Sequence, residues 1–168
     1  MKAKLIINNQ EIEIEISQEE YEKLKPKETK TGYECVKADD RYYFVSSANI
    51  VEDTYDDGVK YDKERHKSAN YYSARSVAEN NARADKLMRQ LRRFAVERRE
   101  KEFDWNNDCQ AKYFIACDYR DYELRAVFDE YIRYHGVIYF DTREKAQAAI
   151  DTFHDELMWY FTEYKDSL

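Results

Sequence analysis

Proline and glycine are scarce in this chain, which has one proline and three glycines in 168 residues. Because long loops usually need these residues, we expect most of the chain to be helix or strand. Three cysteines without a Cys-x-x-Cys pair predict neither a disulfide framework nor a zinc site. No apolar run approaches the roughly 20 residues that cross a bilayer, and no leader-like segment opens the chain. We therefore expect a cytoplasmic protein with reduced thiols and no membrane contact.

Motifs that carry chemistry are also missing. The chain has no glycine-rich phosphate loop, no Gly-x-Ser-x-Gly or His-Glu-x-x-His sequence and no dinucleotide-binding fingerprint. A calcium-loop pattern is matched at Asp53, Asp57, Gly58 and Glu64, but Tyr55 stands where a third oxygen ligand is required. An acidic hairpin turn explains those residues without a metal. We therefore expect no enzyme activity, no cofactor and no bound metal.

Charged and aromatic side chains are abundant instead. Aromatic residues make up 15% of the chain, including sixteen tyrosines, and supply enough apolar material for a folded core. The length of 168 residues predicts a single main core. Tyrosine gives rigid contact area at low entropic cost and is enriched at protein interfaces. A tyrosine-rich surface is therefore a candidate partner-binding surface.

The N-terminal segment has the pattern of a β-hairpin. Isoleucine alternates with glutamate over residues 11–16, which gives the period of two that a half-buried strand requires. A short helix is predicted to begin at Ser17 and to end before Pro26. We therefore predict a hairpin and short helix over 1–32, as an appendage, and an α+β core domain over 33–168.

Aromatic and β-branched runs predict the strands of the core domain. They fall within residues 33–47, within residues 50–55 and, as a three-stranded meander, within residues 112–140. The middle of that meander, residues 124–131, also has helical spacing, and the sequence leaves both interpretations open. Together with two helices, these strands predict an α+β fold in which helices pack on an antiparallel sheet.

Two helices are predicted after aromatic strands. The first is long and central, covers residues 73–102 and takes Ser73 as its N-cap. The second is C-terminal, with Asp141 and Glu144 as a capping box and an apolar residue every three or four positions. Both helices have one apolar face, which we expect to cover the sheet.

The starts of these two helices resemble each other in sequence. "NYYSARSVAENNARA" at residues 70–84 and "IYFDTREKAQAAIDT" at residues 138–152 share two aromatic residues, a short polar residue, an arginine and an alanine at the same spacing. We interpret both as a corner at which the chain leaves a strand and returns as a helix across the sheet. Duplication and convergence both explain the match.

Positive charge is concentrated in the first helix. Residues 73–102 carry a net charge of +4, between flanks of −4 and −7. Arginine forks suit phosphates and acidic proteins alike, and the overall charge of −7 opposes binding to a polyanion. Nucleic-acid binding by the basic helix 83–101 is therefore the alternative function, and its candidate residues are Lys86, Arg89, Arg92, Arg93 and Arg99.

Negative charge forms two groups. Alternate strand positions are about 6.6–6.8 Å apart, near the roughly 7 Å between phosphates on one DNA strand, so a row of glutamates can imitate a nucleic-acid backbone. Charged residues also protect sheet edges from aggregation, which is the simpler explanation. The row is Glu11, Glu13 and Glu15. The second group is Asp39, Asp40, Glu52, Asp53, Asp56, Asp57 and Asp62.

Four stretches carry a resemblance to a known family. They are "RYYFVSS", "ANYYSARSVAENNARADKLMRQLRRFA", "DWNNDCQAKYFIACD" and "GVIYFDTREKAQAAI". Their order resembles that of a broad family of small accessory proteins from phages and prophages of Gram-positive bacteria. The resemblance covers roughly three quarters of the chain and excludes residues 1–32. Ala69 stands where the family usually has glycine, and Tyr72-Ser73 replaces Phe-Thr.

The resemblance implies a context more than an activity, because none of its motifs is catalytic. It implies an accessory protein of a mobile element, acting in the host cytoplasm. Small acidic proteins of that origin include anti-CRISPR proteins, which inhibit a host defence nuclease by contact, and this analogy is associational. We therefore expect a protein partner such as a CRISPR effector, bound through acidic and tyrosine-rich surfaces.

Overall fold

The chain divides into two compact units, Met1–Thr31 and Gly32–Leu168. Helices and antiparallel strands are both present, which confirms the α+β class. The side chains of residues 2–12 and 14 lie outside the description. The computed structural model describes residues 2–7, 10–15, 17, 19 and 30–164.

The first unit contains an antiparallel hairpin of β1 (Lys2–Ile7) and β2 (Gln10–Glu15). The alternation of isoleucine with glutamate therefore does form a strand. The predicted turn between the strands and the predicted helix after Ser17 lie outside the described residues, apart from one helical position at Glu19.

The second unit contains the remaining described elements. Its hairpins are β3–β4 and β5–β6, and both are antiparallel two-stranded sheets. In chain order the elements are β3 (Arg41–Val45), β4 (Val51–Tyr55), α1 (Lys60–Lys67), α2 (Arg75–Glu97), β5 (Lys112–Asp118), β6 (Glu123–Asp129), α3 (Arg143–Trp159) and a π-helical segment (Tyr160–Tyr164).

The second unit repeats one topology. Tyr72 forms an antiparallel bridge with Tyr43 of β3, and α2 begins three residues later. Phe140 forms the same bridge with Tyr113 of β5, and α3 begins three residues later. We call β3, β4, α1 and α2 the first repeat, and β5, β6 and α3 the second repeat. The sequence match between the two helix starts thus reflects a shared ββα arrangement with a single bridged residue before each long helix.

Several element boundaries differ from the sequence prediction. The third strand of the meander is reduced to the bridged Phe140, so the described strands form separate hairpins and not one continuous sheet. Residues 124–131, which the sequence left open, begin as strand β6. The helix α1 was not predicted.

Helix α2 ends at Glu97, five residues before the predicted end. The guanidinium of Arg98 lies 3.8 Å from the ring centre of Phe94. The next backbone N–H groups, of Glu100 and Lys101, donate to a carboxylate oxygen of Asp141 at 2.8 and 3.0 Å. These tertiary hydrogen bonds replace the intrahelical ones that a longer helix would form.

The helix caps also differ from the prediction. The N-cap of α2 is Ala74, which has no side-chain cap bond, and not Ser73. The N-cap of α3 is Thr142, whose hydroxyl accepts a hydrogen bond from the backbone N–H of Lys145, and not Asp141. Each cap therefore lies one residue later than predicted.

Ser73 and Asp141 have another common role. The backbone N–H of Ser73 donates to the carbonyl of Gly32 at 2.8 Å. Asp141 accepts the backbone hydrogen bonds of Glu100 and Lys101 described above. In both repeats the short polar residue thus fixes the chain segment that precedes the repeat against the start of the long helix.

The two repeats have different interiors. In the first repeat, Tyr42 is fully buried and stacks on Tyr71 with ring centres 4.0 Å apart. In the second repeat, α3 packs on β5, β6 and α2 around a core of aliphatic and phenylalanine side chains. The main members of that core are Leu87, Leu91, Phe94, Leu124, Phe140, Ile150 and Leu157.

Candidate functional site

The glutamate row of the first unit lies on β2. Glu13 and Glu15 are exposed, and the side chain of Glu11 lies outside the described part. In the register of the hairpin, Glu13 is opposite Lys4 and Glu15 is opposite Lys2. Two of the three glutamates therefore have a lysine as direct register partner, which reduces the net negative charge of the hairpin.

The second acidic group is brought together by backbone hydrogen bonds. The N–H of Asp39 donates to the carbonyl of Asp56, and the N–H of Asp56 donates to the carbonyl of Asp40, both at 3.0 Å. Asp39, Asp40 and Asp57 are exposed. The turn before β3 and the end of β4 thus present acidic residues at the same end of the hairpin.

Three acids of this group are occupied within the protein. Asp62 is buried, contrary to the prediction of a surface acid, and accepts from the hydroxyl of Tyr42 at 2.7 Å. The carboxylate of Asp56 accepts from the hydroxyl of Tyr71 at 2.7 Å and from the N–H of Gly58 at 2.9 Å. The carboxylate of Asp53 lies 3.3 Å from the guanidinium of Arg41. Asp53, Asp56 and Asp62 therefore stabilise the first repeat and are less available to a partner than the other acids.

Exposed tyrosines accompany the remaining acids. Tyr55, at the end of β4, is 52% exposed, and Tyr61, in the first turn of α1, is 71% exposed. Glu52 and Asp57 on the same segment are also exposed. We define the acidic tyrosine surface by the residues Asp39, Asp40, Glu52, Tyr55, Asp57 and Tyr61.

The basic residues do not form one helical face. Arg99 lies beyond the end of α2, where its guanidinium is 3.7 Å from Glu102 and 4.8 Å from the ring centre of Phe103. Arg93 forms an ion pair with Glu97 at 2.7 Å.

Arg89 donates a hydrogen bond to the side chain of Asn49. Within residues 30–164, Lys86 and Arg92 have no hydrogen-bond or ion-pair partner. The predicted five-residue patch is thus reduced to two free cations on α2.

A cysteine and a histidine, the residue types of a nucleophile and its base, lie beside one groove of the second repeat. Cys117 and His135 both line the apolar groove that is described in the next paragraph. Burial, with a smaller contribution from Asp118, raises the pKa of the Cys117 thiol. A raised pKa keeps the thiol protonated and poorly nucleophilic. His154 is exposed and contacts Asp155. Among the described residues, no cluster of three or more histidine, cysteine or acidic residues could hold a metal ion.

The second repeat contains an apolar groove that sequence analysis missed. It has a volume of about 440 Å³ and lies between β5 and the segment that leads to Phe140, and we call it the second-repeat groove. Its floor comes from α2, α3 and the π-helical segment, and includes Met88, Leu91, Leu157 and Phe161.

The first repeat contains a polar counterpart of about 420 Å³, which we call the first-repeat groove. It lies between the end of β3 and the segment that leads to Tyr72, and its lining includes Asn70, Asp85 and Arg89. The repeat places Asn70 at the position of Ile138, and Arg89 at that of Leu157. The quoted repeats begin with these two residues, Asn70 and Ile138, so the difference was visible in the sequence, but its meaning depended on the fold.

Comparisons of this chain with protein-family models, with curated proteins and with solved structures give no match. In the described part of the chain, none of the helices has the length and apolar character needed to span a membrane.

Proposed function

We propose that this protein is a non-catalytic accessory protein of a phage or prophage that acts in the host cytoplasm. It binds a host defence nuclease, such as a CRISPR effector, and inhibits it through the acidic tyrosine surface. The supporting observation is that the hydrogen bonds between Asp39, Asp40 and Asp56 bring the exposed Asp39 and Asp40 to the end of β4, where Tyr55 and Asp57 are also exposed.

This surface has the chemistry that a basic nucleic-acid groove would recognise. Exposed carboxylates complement arginine and lysine, and complementary charge accelerates association and selects the partner. Exposed tyrosines add apolar contact area, which usually supplies most of the binding free energy at an interface. Asp53 and Asp56 contribute indirectly, because their bonds to Arg41 and Tyr71 hold the hairpin that presents the surface.

The test measures protection of a phage in bacteria that carry one defence nuclease at a time. We expect the wild-type protein to restore plaque formation against one nuclease, and the double variant Glu52→Lys and Asp57→Lys to lose that protection. The matched control is the double variant Asp151→Lys and Asp155→Lys, which makes the same charge change at exposed positions of α3. Equal protection by both double variants would exclude the acidic tyrosine surface.

A second pair of variants tests the aromatic contribution. Tyr61 and Tyr131 are both 71% exposed, so Tyr61→Ala and Tyr131→Ala remove similar accessible area. We expect Tyr61→Ala to weaken inhibition and Tyr131→Ala to leave it unchanged. A larger loss in Tyr131→Ala would move the contact surface to the second repeat.

Nucleic-acid binding is the alternative, and it has less support because only Lys86 and Arg92 of the predicted patch are free. A salt titration of binding to duplex DNA and single-stranded RNA separates the two functions. Strong affinity that falls steeply with salt, and that is lost in the double variant Lys86→Glu and Arg92→Glu, would replace our proposal with this alternative.

A further inference from the structure

The outer edge of β5 carries backbone groups without a partner. Tyr113 exchanges two hydrogen bonds with Phe140, at 3.0 and 2.7 Å, on the side away from β6. Because the bonding direction alternates along an antiparallel strand, the N–H and C=O groups of Ile115 and Cys117 point to that same side. Within residues 30–164, no hydrogen bond reaches these groups. The strand therefore continues past its last bridge with an open edge.

The equivalent edge of the first repeat is closed by a side chain. Val45 corresponds to Ile115, since both lie two residues after the bridged tyrosine. The amide of Asn70 accepts from the N–H of Val45 at 2.7 Å and donates to its carbonyl at 2.8 Å. Ile138 stands at the Asn70 position of the second repeat and has no polar side-chain atom. One amide thus accounts for the difference between a closed and an open edge.

The open edge faces the second-repeat groove. Residues 114–117 form one wall and residues 134–138 form the other, and they converge at the bridge between Tyr113 and Phe140. The floor includes Leu91 and Leu157, which belong to the hydrophobic core and are almost fully buried. A side chain that enters the groove would therefore contact the core directly.

We propose that the second-repeat groove binds an extended apolar peptide segment of another protein. The segment adds a strand to the outer edge of β5 and pairs with the N–H and C=O groups of Ile115 and Cys117. Its alternate side chains pack on the apolar floor, as in strand addition to an exposed sheet edge. The groove lies apart from the acidic tyrosine surface, so this inference does not depend on the proposed function.

The geometry selects this occupant over two others. A small apolar molecule would fill the groove but leave the backbone groups of β5 without hydrogen bonds, which is costly in an apolar site. A β5–β6 hairpin from a second copy would bring a second, already paired strand to this edge, whereas a single extended segment needs to pair only with Ile115 and Cys117. The spacing of two residues between Ile115 and Cys117 matches the period of an extended chain.

The experiment uses four capped heptapeptides that alternate threonine with valine, isoleucine, leucine or phenylalanine. Backbone amide exchange is followed by NMR in the full-length protein. In the free protein we expect fast exchange at Ile115 and Cys117, and slow exchange at Ala116, whose N–H points to β6. At saturating peptide we expect exchange at Ile115 and Cys117 to slow by roughly tenfold or more. If none of the four peptides protects either amide, the proposal is wrong.

Peptides methylated on backbone nitrogen separate strand addition from simple apolar binding. One peptide carries the methyl groups on all threonines and the other on all of its apolar residues, so the side chains are unchanged. Only one set of alternate amides can face β5. We expect one methylated peptide to bind roughly tenfold more weakly and the other to bind normally. Equal binding by both would overturn the proposal.

The variant Ile138→Asn transfers the closing amide from the first repeat to the second. We expect it to protect the Ile115 amide without peptide and to abolish peptide binding, while Ile138→Leu keeps binding. If folded Ile138→Asn binds peptide like the wild type, the inference fails. If Ile138→Asn does not fold, the comparison of the two methylated peptides with the wild-type protein decides whether a strand is added to β5. Concentration-dependent dimerisation that protects Ile115 and Cys117 without peptide would show a second copy as the occupant and overturn the proposal.

Discussion

The first and second repeats share a topology but have different interiors. In the first repeat, the hydroxyl of Tyr42 donates to buried Asp62 at 2.7 Å and accepts from Arg65 at the same distance. The second repeat is held by apolar packing around Leu157 and Phe140. The shared bridge before each long helix thus does not dictate the chemistry of the interior. The same ββα arrangement is stabilised by directional hydrogen bonds in one repeat and by packing in the other.

The two grooves differ in polarity in the same way as the two interiors. Asn70 and Arg89 make the first-repeat groove polar, and Asn70 closes its strand edge. Ile138 and Leu157 make the second-repeat groove apolar and leave its edge open. A repeated fold thus presents two distinct surfaces, and only the second offers unpaired backbone groups beside an apolar floor.

The strongest test of this comparison is the variant Asp62→Ala. It removes the acceptor of the Tyr42 hydroxyl and of the N–H of Val59, which lies 3.0 Å from the other carboxylate oxygen. Because the buried hydroxyl keeps its donor Arg65 but loses the acceptor of its own proton, and buried Asp62 is removed from Val59 as well, we expect the free energy of unfolding to fall by about 3 kcal/mol. Urea denaturation at neutral pH measures the change.

The double variant Tyr42→Phe and Asp62→Ala is the control for this interpretation. Phenylalanine needs no acceptor, so the double variant should be more stable than Asp62→Ala alone. Non-additivity of this kind shows that the two groups act as a hydrogen-bonded unit. If the two losses simply add, the interior of the first repeat is held by packing, like that of the second.

A smaller effect is expected at the start of α3, where the second repeat depends on a charge pair. Asp141 is 2% exposed; burial raises its pKa, but hydrogen bonds from Lys145, Glu100 and Lys101 outweigh burial and lower the pKa overall. We expect Asp141→Asn to lower the free energy of unfolding by about 2 kcal/mol at pH 7.

The pH dependence of the stability difference between wild type and Asp141→Asn tests whether the charge of Asp141 causes it. A carboxyl group whose pKa is lowered by folding stabilises the protein above its unfolded pKa of about 3.9, and the contribution is lost as pH falls through the folded pKa. The gap between wild type and Asp141→Asn should therefore shrink from pH 7 to pH 3. The exposed Asp151→Asn on the same helix should show little gap at either pH. A constant gap for Asp141→Asn would assign its effect to shape and not to charge.

Alkaline pH should act on the buried tyrosine hydroxyls of the first repeat. Burial, with smaller effects from Tyr33, Asp85 and Tyr164, raises the pKa of Tyr72 to about 12. The neutral form is favoured in the folded protein, so this stabilisation is complete below pH 10 and is lost as pH rises toward 12. We expect Tyr72→Phe to gain about 1.4 kcal/mol relative to wild type between pH 9 and pH 11. Urea denaturation at both pH values measures the gain, and an unchanged difference between Tyr72→Phe and wild type would contradict it.

The sequence predicted the elements with strong periodicity. The alternation of Tyr113, Ile115 and Cys117 forms β5, and the apolar spacing after Asp141 forms α3. It did not predict α1, because residues 60–67 are almost entirely polar. That helix is fixed by the tertiary bond of Asp62 to Tyr42, which no local pattern reveals, and by the local bond of Asp62 to the N–H of its N-cap residue Val59.

The candidate sites were less predictable than the elements. The acidic residues were recognised, but their grouping depends on backbone hydrogen bonds between Asp39, Asp40 and Asp56. The effect of having Asn70 in one repeat and Ile138 in the other depends on the hydrogen bond between Asn70 and Val45, which lie 25 residues apart in the chain. Local sequence patterns do not carry such long-range hydrogen bonds, so grooves and surfaces required the fold.

The smallest predicted effect concerns a left-handed residue that lies shortly before each bridged residue, four positions before Phe140 in one repeat and three positions before Tyr72 in the other. In the second repeat it is Gly136, with φ of 74°, and in the first it is Ala69, with φ of 55°. Because a Cβ atom disfavours the left-handed region, Ala69→Gly should raise the free energy of unfolding by about 1 kcal/mol. The control is Ala38→Gly, at an exposed turn position without positive φ, where added flexibility of the unfolded chain should lower stability slightly. If Ala69→Gly destabilised the protein as Ala38→Gly does, the first repeat would tolerate the alanine without strain, and the two corners would differ in more than this side chain.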